Sequence, residues 1–131
     1  MNRAVLDAST LLALLFDEPG ADVVAEALTS GSLMTTVNLS DVLTKLEDRG
    51  ISVDPAISDL TRYGILDASK VVDFAFLLAE EAARLRARTR DMGLSLGDRA
   101  CLALARTLGM PPVTADSSWA EVAGVSISLI R

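Results

Sequence analysis

Histidine is absent from the 131 residues and cysteine occurs once, as Cys101, so the chemistry open to this chain is narrow from the outset. Ser-His-Asp and Cys-His nucleophile pairs, histidine acid–base pairs and zinc sites built on imidazole are all excluded. What remains in quantity is carboxylate. Eighteen Asp plus Glu stand against 12 Lys plus Arg, a net charge of −6, and twelve of the 18 are aspartate. Asp7 closes a short apolar run in Val5-Leu6-Asp7-Ala8-Ser9, and Asp116 closes another in Val113-Thr114-Ala115-Asp116. Asp41 and Asp98 each follow a polar residue by three, in Asn38-Leu39-Ser40-Asp41 and Ser95-Leu96-Gly97-Asp98, at what read as helix starts. Two carboxylates ~5 Å apart repel by roughly 3 kcal/mol at an effective dielectric near 20, so four in one pocket require a counter-ion. With no imidazole or thiolate to share the work, aspartate oxygens suit Mg²⁺ or Mn²⁺, which keep several waters and share substrate phosphates. The natural chemistry of such a site is phosphodiester hydrolysis by a metal-activated water.

Four aspartates spread from position 7 to position 116 meet only if the intervening chain folds to bring them together. Short apolar runs at Ala4 to Leu6, Leu33 to Val37, Gly64 to Leu66, Val113 to Ala115 and Val125 to Ile130 are bounded by turn or cap residues and predict five strands. The fourth is the weakest, because Pro111 and Pro112 leave little to pair. Helical stretches lie between them: Leu11 to Phe16, Ala21 to Leu28, Leu39 to Arg49, Val53 to Tyr63, Val71 to Thr89 and Asp98 to Leu108. In the fifth, Val71, Phe74, Leu78, Ala82 and Leu85 recur at three- and four-residue steps; in the sixth, Cys101, Leu104, Ala105 and Leu108 do the same. Alternation of strand and helix implies an α/β fold: a parallel sheet with right-handed crossovers and helices on both faces. Open parallel sheets bind ligands beyond the carboxyl ends of their strands, where Asp7 and Asp116 sit.

Composition sets the frame. Half of the residues are apolar and 23% charged, with no repeat, low-complexity tract or linker, which fits one domain over residues 1–131. No apolar run is long enough to span a bilayer, and Met1-Asn2-Arg3 leads into too few apolar residues for a signal peptide. With a single cysteine no disulfide forms within the chain, so a reducing, cytoplasmic setting is expected. The acidic balance argues against whole-surface binding to nucleic acid, yet leaves room for an enzyme whose positive charge comes from metal ions.

Each aspartate also has an ordinary structural explanation. The Asn38/Asp41 and Ser95/Asp98 spacings both resemble capping boxes, with the acid in the favourable first turn. Asp116 can start a turn through Ser117 and Ser118, and Asp7 can lead a helix capped by Ser9 or Thr10. Asp7 resists this best: an acid directly after buried strand residues is partly desolvated and needs a partner.

Four segments in order, Val5 to Ser9, Val37 to Leu43, Leu94 to Ala105 and Thr114 to Trp119, resemble the PIN-domain ribonucleases, and more narrowly the VapC toxins of type II toxin–antitoxin modules, with the likeness running from Arg3 to Arg131. It implies a three-layer α/β/α sandwich with a five-stranded parallel sheet in the order 3-2-1-4-5, a divalent-metal site and endoribonuclease activity. By that resemblance Asp7, Asp98 and Asp116 are metal ligands or their close support, with Ser9 and Thr114 as polar residues behind them. One departure stands out. Where the family usually has glutamate this chain has Asp41, which draws the fourth carboxylate back by one methylene. The resemblance also implies a homodimer and an antitoxin that covers the site.

Arg84, Arg86, Arg88 and Arg90 form two four-spaced pairs on a helix, either a rim for RNA phosphates or a solvated face balanced by Glu80 and Glu81. Trp119 and Tyr63 are candidates for base stacking, with a structural role the simpler account. Two further classes compete with the nuclease. One is an interaction module of the same fold that binds antitoxin or RNA without cutting. The other is a Mg²⁺-dependent phosphatase or receiver-like domain, which lacks support: a receiver wants an acidic pair before Asp7, and a dehalogenase-like phosphatase wants a second Asp where Ser9 stands.

Overall fold

The computed structural model describes residues 3–122 and 126–131. Its elements run β1 (Val5–Leu6), α1 (Ala8–Leu15), α2 (Ala21–Thr29), β2 (Met34–Thr35), α3 (Thr36–Asp48), α4 (Val53–Arg62), β3 (Val71–Val72), α5 (Phe76–Thr89), α6 (Leu96–Leu108), β4 (Pro112–Thr114) and β5 (Ser128–Leu129). All strand pairings are parallel, in a three-stranded sheet β1-β4-β5 and a two-stranded sheet β2-β3. Among the described residues a parallel bridge between Val5 and Leu33 links the two, through Leu33 N–H to the Ala4 carbonyl (2.9 Å) and Leu6 N–H to the Leu33 carbonyl (2.8 Å).

Side chains of β1 alternate between two cores, as the period of a strand requires. Ala4 and Leu6 join Leu11, Val24, Met34, Val42 and Leu60 on the side of α1–α4. Val5 joins Leu85, Cys101, Leu102, Leu104 and Trp119 on the side of α5 and α6. The sheet is therefore the middle of three layers, and Asp7 emerges at its carboxyl end. Among the described residues no helix is long and apolar enough to cross a membrane.

Three expectations are corrected. No strand forms at Gly64 to Leu66, because the N–H groups of Ile65 and Leu66 both turn back onto the Leu60 carbonyl (3.0 and 3.2 Å) to close the end of α4. The third strand is instead Val71–Val72, a β-branched pair aligned with Met34 and Thr35. The fifth helix consequently starts at Phe76 rather than Val71. The Pro-rich fourth strand is the central one of its sheet. Proline lacks only the donor; its carbonyl still accepts, and Val5 N–H bonds the Pro111 oxygen (3.0 Å) while Asp7 N–H bonds that of Val113 (3.2 Å). The last strand is confined to Ser128–Leu129, within the expected Val125 to Ile130, of which Val125 lies outside the described residues.

Candidate metal centre

Asp7 is the most constrained of the four aspartates. It is buried at the junction of β1 and α1, and it caps that helix itself: Thr10 N–H donates to its Oδ1 (3.1 Å). Ser9 Oγ donates to the same oxygen (2.7 Å), and Thr114 Oγ1, at the end of β4, donates to Oδ2 (2.6 Å). The two hydroxyls also lie 3.5 Å from each other, and each is held from behind by a backbone donor. Ser9 Oγ accepts Ala115 N–H (3.0 Å) and Thr114 Oγ1 accepts Asp116 N–H (3.0 Å), and the much shorter contacts to Asp7 direct both hydroxyl protons toward it. Three donors favour the carboxylate, but burial outweighs them and, with repulsion from Asp98, pushes the Asp7 carboxyl up to about 6.

Asp98 sits in the first turn of α6 and completes a reciprocal capping box with Ser95: Ser95 N–H donates to Asp98 Oδ2 (2.9 Å) and Asp98 N–H to Ser95 Oγ (3.1 Å). Its Oδ1 has no hydrogen bond among the described residues. The capping explanation is thus correct for Asp98 yet incomplete, since one oxygen is spent on the helix and the other is not.

For Asp41 that explanation fails. Helix α3 is capped one residue before its start by Thr35, whose hydroxyl accepts Asn38 N–H (3.1 Å), so Asn38 lies inside the first turn and Asp41 in the second. There Asp41 caps nothing. Its carboxylate lies against Gly97 at the start of α6, and partial burial, followed by repulsion from Asp98, raises its pKa against the opposing pull of Lys45. Asp98 therefore acts electrostatically on both Asp7 and Asp41.

Asp116 is tied in differently. Its backbone N–H joins the Thr114 hydroxyl, but its carboxylate accepts from Ser118 N–H (2.9 Å) and Ser118 Oγ (2.7 Å), capping the 3₁₀ turn Ser117–Glu121. No hydrogen bond or ion pair among the described residues links that carboxylate to the other three.

A hard divalent ion fits this donor set. Buried or crowded carboxylates that repel one another, with hydroxyls fixing the orientation of Asp7, are the oxygen ligands Mg²⁺ and Mn²⁺ take. Among the described residues no three acidic or cysteine side chains form a ready-made cage. That also suits Mg²⁺, which is held by one or two carboxylates and completes its shell with water and substrate oxygens.

The sequence reading missed Asn38 as more than a cap and gave Gly97 no role at all. Asn38 is fully buried and its Nδ2 donates across to the Gly97 carbonyl (3.0 Å). The available signal was Gly97 itself, a poor helix former placed just inside a helix start, where its missing side chain admits a close neighbour. The two candidate stacking aromatics separate: Trp119 is fully buried in the α5–α6 core, whereas Tyr63 is 67% exposed at the end of α4.

The family model of the PIN domain matches residues 4–125. Solved structures with similar folds include a DNA-bound VapBC complex from Salmonella typhimurium (TM-score 0.73, 18% identity, 100% of both chains). A toxin–antitoxin complex from Klebsiella pneumoniae (0.69, 19%, covering 94% of this chain and 95% of that one) is another. FitAcB from Neisseria gonorrhoeae (0.71, 16%, 95% and 96%) is a third. At these identities the likeness is one of fold. No curated protein sequence matches the chain.

Proposed function

Because the chain belongs to the PIN-domain family, we propose that it is a VapC-type toxin, a divalent-metal-dependent endoribonuclease whose ion is Mg²⁺ or Mn²⁺. The observation that carries the reading is Asp98, whose charge bears on both Asp7 and Asp41 while its own Oδ1 accepts no hydrogen bond among the described residues. When bound, the ion supplies an activated water and offsets charge on the scissile phosphate. The chain's own residues do the rest. Asp7, Asp98 and Asp116 would be the ion's ligands or their close support, with Asp41 reaching it directly or through water. Ser9 and Thr114 fix the orientation of Asp7, and the capping box fixes that of Asp98. Arg86 on α5 and Arg90 in the 3₁₀ turn just after it, both exposed and without ion pairs among the described residues, meet the RNA backbone.

In the same reading the two sheets, joined at Val5 and Leu33, continue as one five-stranded surface in the order 3-2-1-4-5. The chain works in the cytoplasm, pairs with a second copy and is held inactive by an antitoxin. Support for the antitoxin is the VapBC and other toxin–antitoxin complexes that share the fold. An apolar groove along Leu15, Tyr63 and Ile65, between α1 and the end of α4, offers it a seat.

The second reading is a module of the same fold that binds without cutting. What favours it is the shorter Asp41 and the lack of a preformed cage among the described residues. RNA cleavage by the purified chain, assayed with Mg²⁺ or Mn²⁺ and with EDTA, separates the two. Metal-dependent cutting that Asp98→Ala abolishes supports the nuclease; a folded chain that cuts nothing with either metal supports the module.

A further inference from the structure

The contact between α3 and α6 is built with more care than two packed helices need. At its centre is Asn38, a buried polar side chain that would be costly if unpaired. Its amide orientation is fixed by its neighbours. Thr35 Oγ1 accepts the Asn38 backbone N–H and so gives its own proton to Asn38 Oδ1 (2.6 Å), which leaves Nδ2 to donate to the Gly97 carbonyl across the helix boundary (3.0 Å). The bond spans 59 residues of sequence and ends one residue before Asp98.

Three residues along α3 from Asn38, on the same face, stands Asp41. Its Cγ lies 3.5 Å, and Asn38 Nδ2 3.7 Å, from the position a Cβ would take on Gly97, and its Oδ2 would overlap such an atom outright. Any side chain at position 97 would therefore push α3 and α6 apart or turn the Asp41 carboxylate away. One feature pulls the helices together, and the other leaves space for the carboxylate between them.

We propose that Asn38 is a positioning residue, tying α3 to the first turn of α6 so that Asp41 is held beside Asp98, with Gly97 as the notch that admits it. This rests on the nuclease reading and deepens it. A helix that approaches closely recovers part of the reach lost by having aspartate in place of glutamate at position 41.

The test is a cycle of Asn38→Asp with Asp41→Ala, each variant first shown to melt cooperatively. Asn38→Asp keeps the volume and the Thr35 contact and replaces the donor to Gly97 with an oxygen. The account expects kcat to fall about 10- to 100-fold with little change in KM, and Mn²⁺ affinity measured by calorimetry to weaken in parallel, as for other residues that orient a metal ligand. Added to Asp41→Ala, Asn38→Asp should cost nothing more; an equal loss in both backgrounds overturns the proposal. Should Asn38→Asp fail to fold, Gly97→Ala tests the same contact from the other side and should show the same non-additivity with Asp41→Ala. A second readout needs neither RNA nor metal. Nuclear Overhauser contacts between the Asp41 β-protons and the Gly97 α-protons should be strong in the wild-type chain and weak in Asn38→Asp. If they are unchanged the tie is refuted, whether or not the chain proves to be a nuclease; if the wild-type chain cuts no RNA, the nuclease reading fails alone.

Discussion

Asp7 and Asp41 both hold their protons more tightly than an exposed aspartate, but they stand in opposite kinds of structure. Asp7 is buried at a strand end, with both oxygens engaged by three donors from β4 and α1. Asp41 is on an exposed stretch of α3, accepts no hydrogen bond among the described residues, and is placed by how closely two helices approach. One carboxylate is fixed by its own bonds, the other by its neighbours' packing. The strand end should accordingly be rigid and intolerant of change, and the helix contact adjustable.

The sharpest way to break this contrast is Asp7→Asn. The folded-state pKa of about 6 lies above the usual value of 3.8, so the stability contributed by this group is fully present below about pH 3.8 and is lost as pH rises through 6. At pH 7 the metal-free fold therefore carries a penalty on the order of 3 kcal/mol. Asp7→Asn should abolish cleavage while stabilising the metal-free chain at pH 7 by about 1–3 kcal/mol, less than the full amount because an amide cannot accept from both hydroxyls. The gain should vanish near pH 4. Urea denaturation at the two pH values checks it, and a destabilised Asp7→Asn at pH 7 would remove the claim that burial dominates there.

Thr114→Val comes next. It keeps the shape of β4 but withdraws the 2.6 Å donor to Asp7 Oδ2, and should reduce metal affinity or activity by ~10- to 100-fold. Asp41→Glu tests the adjustable side. Cleavage should be retained or rise, because the longer side chain passes the Gly97 notch toward Asp98; a large loss with the fold intact would mean the helix contact is as exacting as the strand end. The smallest effect is expected at the carboxyl end of α5 and the turn after it. Arg86→Ala and Arg90→Ala should each flatten the salt dependence of RNA binding by ~0.7 in log–log slope. Arg84→Ala should not, since that residue already pairs with Glu80 (3.3 Å) and Glu81 (3.5 Å).

The same contrast explains what the sequence revealed and what it hid. Asp7 was legible because strand ends mark themselves locally, by a short apolar run that stops at a polar residue, whereas Ser9 and Thr114 were picked out only by the family resemblance. Ser95 and Asp98 were legible as a cap, again a local pattern. The third strand was misplaced because Gly64-Ile65-Leu66 and Val71-Val72 are both short apolar runs; only the return of the Ile65 and Leu66 N–H groups to Leu60 decides between them. The Asn38–Gly97 tie was invisible for a related reason. It joins residues 59 apart, and neither partner has a periodicity that points to the other. Pro111 and Pro112 misled in the opposite sense, since the missing donors were visible and the useful carbonyls were not.

The most direct test of the central claim, that these aspartates together hold one divalent ion, is a calorimetric titration of the metal-free chain with Mn²⁺ at pH 7 and pH 5, beside Asp98→Ala. The account predicts saturable binding at pH 7, about ten-fold weaker at pH 5, where Asp7 must first give up its proton, and loss of binding in Asp98→Ala. Binding that is indifferent to pH and survives in Asp98→Ala would contradict it.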